Sequence, residues 1–194
     1  MKNFLHRLLL EIVSFCSKSL GIFQDPFMKV RITSKDYREV QALLKPGQTL
    51  LSKKSGELSN LLIPGKYKHT AIVKDKNTVI EAVTVGGVKE TDLIDFIMGK
   101  RSIALLEPLF ATEEEMIVVP MIAASQKGLP YKFDMEFSIT KITAFYCSML
   151  NFYCYFMACK EMPFTLREIL GVQNVAPSDF YEAKDKFKVI WESK

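Results

Sequence analysis

Between Lys141 and Lys160 runs a stretch of 18 residues, Ile142 to Cys159, without a single charged side chain. A segment of that length and character has two fates. It crosses a bilayer, for which about 18 residues is the lower limit, or it is buried inside a globular fold. Its polar content decides between them. Thr143, Ser148, Asn151, Tyr146, Tyr153 and Tyr155 lie within it, where a lipid-facing helix would carry Leu, Ile and Val. The run predicts a central helix buried on all sides.

The chain has 194 residues, enough to enclose such a helix in one core, since a folded chain of this size buries roughly 70% of the surface its unfolded form exposes. With 48% apolar and 25% charged residues it falls outside the disordered and low-complexity classes. Lys plus Arg number 26 and Asp plus Glu 22, interspersed along the chain, so no basic stripe forms in the sequence and no nucleic-acid partner is expected. The four cysteines, Cys16, Cys147, Cys154 and Cys159, are too few and too uneven for a disulfide scaffold. Two histidines, His6 and His69, and no C-x-x-C pair give no zinc motif, so neither metal nor cofactor is expected.

Met1 to Gly21 carries Lys2 and a set of leucines, but His6, Arg7 and Glu11 interrupt the apolar run and no A-x-A-like cleavage site follows. It reads as an amphipathic helix ended by Gly21, either packed on the domain or lying in a membrane interface. The expected location is cytoplasmic or peripheral to a membrane. Further on, Ser34 is placed to cap a helix over Lys35–Leu44, and Pro46-Gly47 ends it before a strand at Thr49–Leu51. His69–Lys74 and Thr78–Val83 are β-branched runs joined by Lys74-Asp75-Lys76-Asn77, a hairpin pattern. A helix over Thr91–Met98 and a strand over Ser102–Leu106 follow. Thr112 with Glu115, and Thr165 with Glu168, both carry the capping-box signature of a helix start. A short helix from Ser178 and a strand over Phe187–Trp191 complete an α+β domain with a mostly antiparallel sheet packed against the central helix.

A thiol nucleophile needs a base within hydrogen-bond reach, best held by a third group. His69 is the only histidine outside the N-terminal segment. If the hairpin turn centres on Asp75, partners sum to 150 and His69 stands opposite Glu81, so that imidazole and carboxylate share a face, and the helix that carries Cys147 is expected to pack over that same face. A turn centred between Asp75 and Lys76 makes the sum 151 and sends Glu81 to the other face. Among the cysteines, Cys147 is nearest the expected helix start, where free amides and the dipole favour a thiolate. The alternative for any of them is a plain core residue, and Cys154 and Cys159 are read that way.

The runs Leu44-Lys45-Pro46-Gly47-Gln48-Thr49-Leu50-Leu51, Ile63 to Val73, Val79-Ile80-Glu81-Ala82, Tyr131-Lys132-Phe133-Asp134 and Phe145-Tyr146-Cys147-Ser148 together resemble the circularly permuted NlpC-type, papain-like cysteine hydrolases, the YiiX-like group. The resemblance extends from about Leu44 to Leu150. It implies a permuted papain-like fold with Cys147 as nucleophile, His69 as base and Glu81 as its orienting residue. Gln48, by analogy with side-chain amide donors, and Tyr67 are further candidates for oxyanion or substrate contacts. Two departures bear on the pocket: Gln48 stands where the family often has an acidic residue, and Met149 where it has Glu.

On this reading residues 1–194 are a single domain, with the catalytic core over 44–194. The protein is expected to be a thiol hydrolase of amides or esters, with a cell-wall peptide or a lipid as substrate. Its rivals are a lipid acyltransferase using the same acyl-enzyme and a noncatalytic binding module.

Overall fold

The structure is a computed structural model that describes residues 32–54, 63–132, 142–161, 163–169 and 172–193. The expected helix over 1–21 lies outside these residues. In chain order the elements are α1 (Ser34–Leu43), β1 (Thr49–Lys53), β2 (His69–Val73), β3 (Thr78–Val83), β4 (Gly87–Asp92) and α2 (Leu93–Ile97). Then come β5 (Ser102–Pro108), α3 (Glu113–Ser125), α4 (Cys147–Cys159), β6 (Arg167–Ile169), β7 (Val172–Asn174), α5 (Pro177–Glu182) and β8 (Phe187–Glu192).

Six strands form one antiparallel sheet in the order β4-β3-β2-β1-β5-β8, and β6 with β7 makes a separate hairpin. Consecutive apolar residues such as Leu50-Leu51 and Ala71-Ile72 are fully buried because helices cover both faces of the sheet. On one face Leu51, Ile72, Ile80 and Ala104 pack with Val119 of α3, Leu150 and Phe152 of α4 and Phe180 of α5. On the other, Leu50, Ala71, Val79 and Leu105 pack with Val40 of α1 and with Leu93, Phe96 and Ile97 of α2.

The central helix is shorter than the uncharged run. Phe145 forms a parallel bridge with Tyr131, which keeps the chain extended up to the N-cap Tyr146 and starts α4 at Cys147 instead of Ile142. Its residues Cys147–Phe152, Cys154 and Tyr155 are buried, while the last turn is half-buried. No helix of the described residues is long and apolar enough to cross a membrane.

Three local expectations are corrected. Thr33, not Ser34, caps α1, because Asp36 supplies the reciprocal carboxylate of the capping box. The helix expected over 91–98 is confined to Leu93–Ile97, since Thr91 and Asp92 pair with Val79 and Thr78 of β3. Thr165 and Glu168 open no helix: Arg167–Ile169 pairs with β7 instead. A capping box contributes only about 1 kcal/mol, too little to outweigh a ladder that satisfies the backbone on both strands. The same signature at Thr112 and Glu115 does open α3.

Candidate active site

Starting α4 at Cys147 places its sulfur at a helix N-terminus, where the first backbone N–H groups lack intrahelical acceptors. The Ser148 N–H donates to the sulfur. So does the Thr70 N–H, for a reason that lies in the sheet. Val73 turns its N–H to β1, donating to the Gln48 carbonyl at 2.8 Å, so by alternation Thr70 turns its N–H toward β3. The β2–β3 ladder, however, runs only through Ile72↔Ile80 and Val73↔Val79, whereas the β1–β2 ladder continues to Ser52↔His69. Beyond Ile72 the amide is therefore available to α4.

The hairpin partners sum to 152, which centres the turn on Lys76, one residue beyond the expected Asp75. Because the turn is still odd-numbered, His69 and Glu81 share a face, but diagonally and not directly opposed. His69 Nε2 lies 2.7 Å from Glu81 Oε2, and the Thr91 hydroxyl donates to Glu81 Oε1 at 2.6 Å. The Phe96 ring of α2 packs 5.8 Å from the imidazole. About a fifth of the His69 side chain (21%) stays accessible against 8% for Glu81, so the histidine is the more open of the two to solvent.

Contrary to expectation, α4 does not pack over the face that carries His69 and Glu81. Ala71, Val73 and Val79, the face-mates of those two residues, meet α1 and α2, while α4 lies on the opposite face. Imidazole and sulfur meet around the opened end of β2, where they share a hydrogen bond.

The charges follow from this contact. Burial opposes protonation of His69, but the negative charge and hydrogen bond of Cys147, followed by those of Glu81, outweigh it and raise the imidazole to about 9. Burial likewise opposes the Cys147 thiolate, yet the His69 charge and hydrogen bond and the two backbone amides bring the thiol below its ordinary value. Glu81 is disfavoured as an anion by burial and held at about 2 by His69, Thr91 and the field of Lys100. Burial pushes Cys154 far up and Cys159 to about 11. Of the described cysteines, Cys147 alone favours the thiolate.

The two other candidate contacts lie elsewhere. Gln48 neighbours Val73, four residues or about 13 Å along β2 from His69, and its Oε1 accepts the Lys45 N–H at 2.8 Å to close the turn after α1. Tyr67 is fully buried; its hydroxyl donates to Glu192 Oε1 at 2.6 Å and its ring packs on Tyr181. Neither side chain is free to serve as a donor at the sulfur.

Residue-by-residue reading overlooked three contributors. Thr91 holds Glu81, a contact that depends on β3–β4 register and left no mark in the sequence. Tyr131, part of a quoted motif but given no role, has a phenol held protonated by burial and then by the charges of Cys147 and Tyr146. The segment Val175–Ser178 joins both halves of the site. Val175 accepts from Ser148 Oγ at 2.7 Å, while the Tyr67 N–H donates to Ser178 Oγ at 2.9 Å two residues before His69. Gly65 makes this approach possible, since a Cβ there would lie 2.3 Å from Ser178.

A family model describing permuted papain-like amidase enzymes of the YaeF/YiiX type matches residues 43–190. A search of curated proteins finds no match. Among solved structures the chain is similar to one titled metalloprotein YiiX from Escherichia coli, with a TM-score of 0.62 and 20% identity over 76% of this chain and 96% of that one. At that identity the likeness is one of fold. Among the described residues no group of three or more His, Cys, Asp or Glu is arranged to hold a metal ion. The match over most of its length makes this chain a member of the permuted papain-like amidase family, and a thiol hydrolase by class.

Proposed function

We propose that Cys147, His69 and Glu81 are the catalytic triad of an amide or ester hydrolase. The observation that carries this reading is the placement of one imidazole between a buried carboxylate at 2.7 Å and a sulfur hydrogen-bonded to it. The Cys147 thiolate attacks the carbonyl carbon and the C=O electron pair moves to oxygen. As the tetrahedral intermediate collapses, His69 gives its proton to the leaving nitrogen or oxygen, leaving a thioester. His69 then takes a proton from water, hydroxide attacks the thioester, and the acid departs as the sulfur returns to thiolate. Glu81 keeps Nε2 protonated and stabilises the imidazolium throughout.

The oxyanion is held by the Cys147 N–H, which has no helical acceptor, and by the protonated Tyr131 phenol. That second role replaces Gln48, which is committed to its own turn. The substrates proposed are cell-wall peptides or lipid amides and esters.

Iodoacetamide at limiting concentration followed by peptide mapping tests the nucleophile. Cys147 is expected to be alkylated first, and its rate to fall more than tenfold in His69→Ala. Preferential modification of Cys159 or Cys154 overturns the assignment.

A further inference from the structure

Several cations elsewhere on this molecule pair with carboxylates: Lys74 and Lys127 with Glu90, Lys45 with Glu107, Lys66 with Glu192, Lys186 with Glu161 and Arg167 with Asp179. At the site, four cations gather at one end of the sheet. Lys53 ends β1 one residue beyond Ser52, the partner of His69, and its carbonyl accepts the Arg101 N–H at 2.8 Å. Lys68 immediately precedes His69, and its N–H donates to the Ser52 carbonyl at 3.0 Å. Lys100 places its ammonium 5.2 Å from the centre of the Phe96 ring that packs on the imidazole. Residues 53, 68, 100 and 101 are thus stitched around one end of the sheet, although they are dispersed in the sequence.

Among the described residues Lys53, Lys68 and Arg101 have no carboxylate within ion-pair distance, and the Lys68 ammonium is satisfied by the Ile63 carbonyl. Burial and then repulsion from Lys53 lower the Lys68 ammonium below its ordinary value, the mark of like charges held together. Glu81 feels the field of Lys100, but its two oxygens are hydrogen-bonded to His69 and Thr91, and it has no ion pair with Lys53, Lys68 or Arg101. An arc of like charges is unfavourable unless an anion joins it.

Resting on the hydrolase reading, we propose that Lys53, Lys68, Lys100 and Arg101 form a subsite for an anionic group, carboxylate or phosphate, carried by the substrate close to its scissile bond. A substrate so held presents its carbonyl to Cys147 with the charged group over the open end of β1 and β2. Neutral analogues then bind less well for want of this contact.

Cys147 alkylation on the full chain, by anionic iodoacetate and by neutral iodoacetamide, separates this proposal from the one on which it rests. The two reagents share a leaving group and differ little in size. At low salt the iodoacetate-to-iodoacetamide rate ratio is expected to fall about fivefold in the double variant Lys53→Gln with Arg101→Gln, and in wild type as salt rises. Lys45→Gln, at the far end of β1, should keep the wild-type ratio. The attraction of iodoacetate to the imidazolium is present in all three proteins and cancels in the comparison.

Glycerol 3-phosphate and N-acetylalanine, at matched ionic strength, then compete against iodoacetamide. Protection by the first and its loss in the double variant assign the subsite to phosphate, and the same result with the second assigns it to carboxylate. A ratio unchanged in the double variant, or protection by neither compound, overturns the subsite. A Cys147 inert to both reagents overturns the hydrolase reading itself.

Discussion

Glu81 is a charged side chain in the interior, tolerable because both of its oxygens have partners. Thr91 supplies the second, so it acts on the reaction through Glu81 and not on substrate. Thr91→Val keeps the shape and removes a hydrogen bond to a charged group, costing about 1.5–3 kcal/mol, while Thr91→Ser restores the donor. The carboxyl rises from about 2 in the valine variant, and the lower pH limit of Cys147 alkylation shifts upward with it. Restoration of that limit by serine distinguishes positioning from packing, and identical profiles for wild type and valine variant would count against the role. For the sulfur the same physics gives a second expectation. Cys147 should stay reactive well below the ordinary thiol value of 9.0, whereas Cys159 gains reactivity only toward about 11, read by pH-dependent labelling of each peptide.

At the scale of elements, the hairpin carried its message in its parity. An odd-numbered turn puts His69 and Glu81 on one face wherever it is centred, so the shift from Asp75 to Lys76 moved the pair to a diagonal without separating it. The helix start was less legible, because five uncharged residues after Lys141 look helical while the bridge of Phe145 to Tyr131, set by distant chain, keeps them extended. The Thr165–Glu168 signature misled for a related reason: nothing local announces that Val172–Asn174 is a pairing partner. The turn after α1 is more determinate. Gly47 has φ 81°, and a Cβ there would stand 2.3 Å from the Met116 carbonyl oxygen of α3. Gly47→Ala therefore combines backbone strain with a clash, costing about 2–4 kcal/mol and lowering Tm by roughly 5–12 °C. A shift under about 2 °C by calorimetry would mean that α3 yields at this contact.

Across the whole molecule, the site straddles the sheet. Cys147 belongs to the layer of α3, α4 and α5, while the ring of His69 packs on Phe96 in the layer of α1 and α2. This is why the sequence placed the three residues together but set α4 on the wrong face: spacing along a strand fixes which side chains are neighbours, and only the packed layers fix which way a helix approaches. The charges then tie stability to pH with opposite signs. Glu81 is held below its unfolded value of 4.5, so its contribution is present above that pH and is lost as pH falls toward about 2. His69 is raised above 6.5, so its contribution is complete below that value and is lost as pH rises through about 9. Both contributions are present together between pH 4.5 and 6.5. Replacing Glu81 by Gln keeps a neutral partner for the ring and removes the charge, a loss of roughly 1–3 kcal/mol, or about 2–12 °C in Tm, within that window. The Tm difference between wild type and Glu81→Gln, followed by circular dichroism from pH 2 to 10, should be widest there and close at both extremes. A difference that stays constant across the range would show that the glutamate contributes through packing alone, leaving the charge of His69 to be set by Cys147.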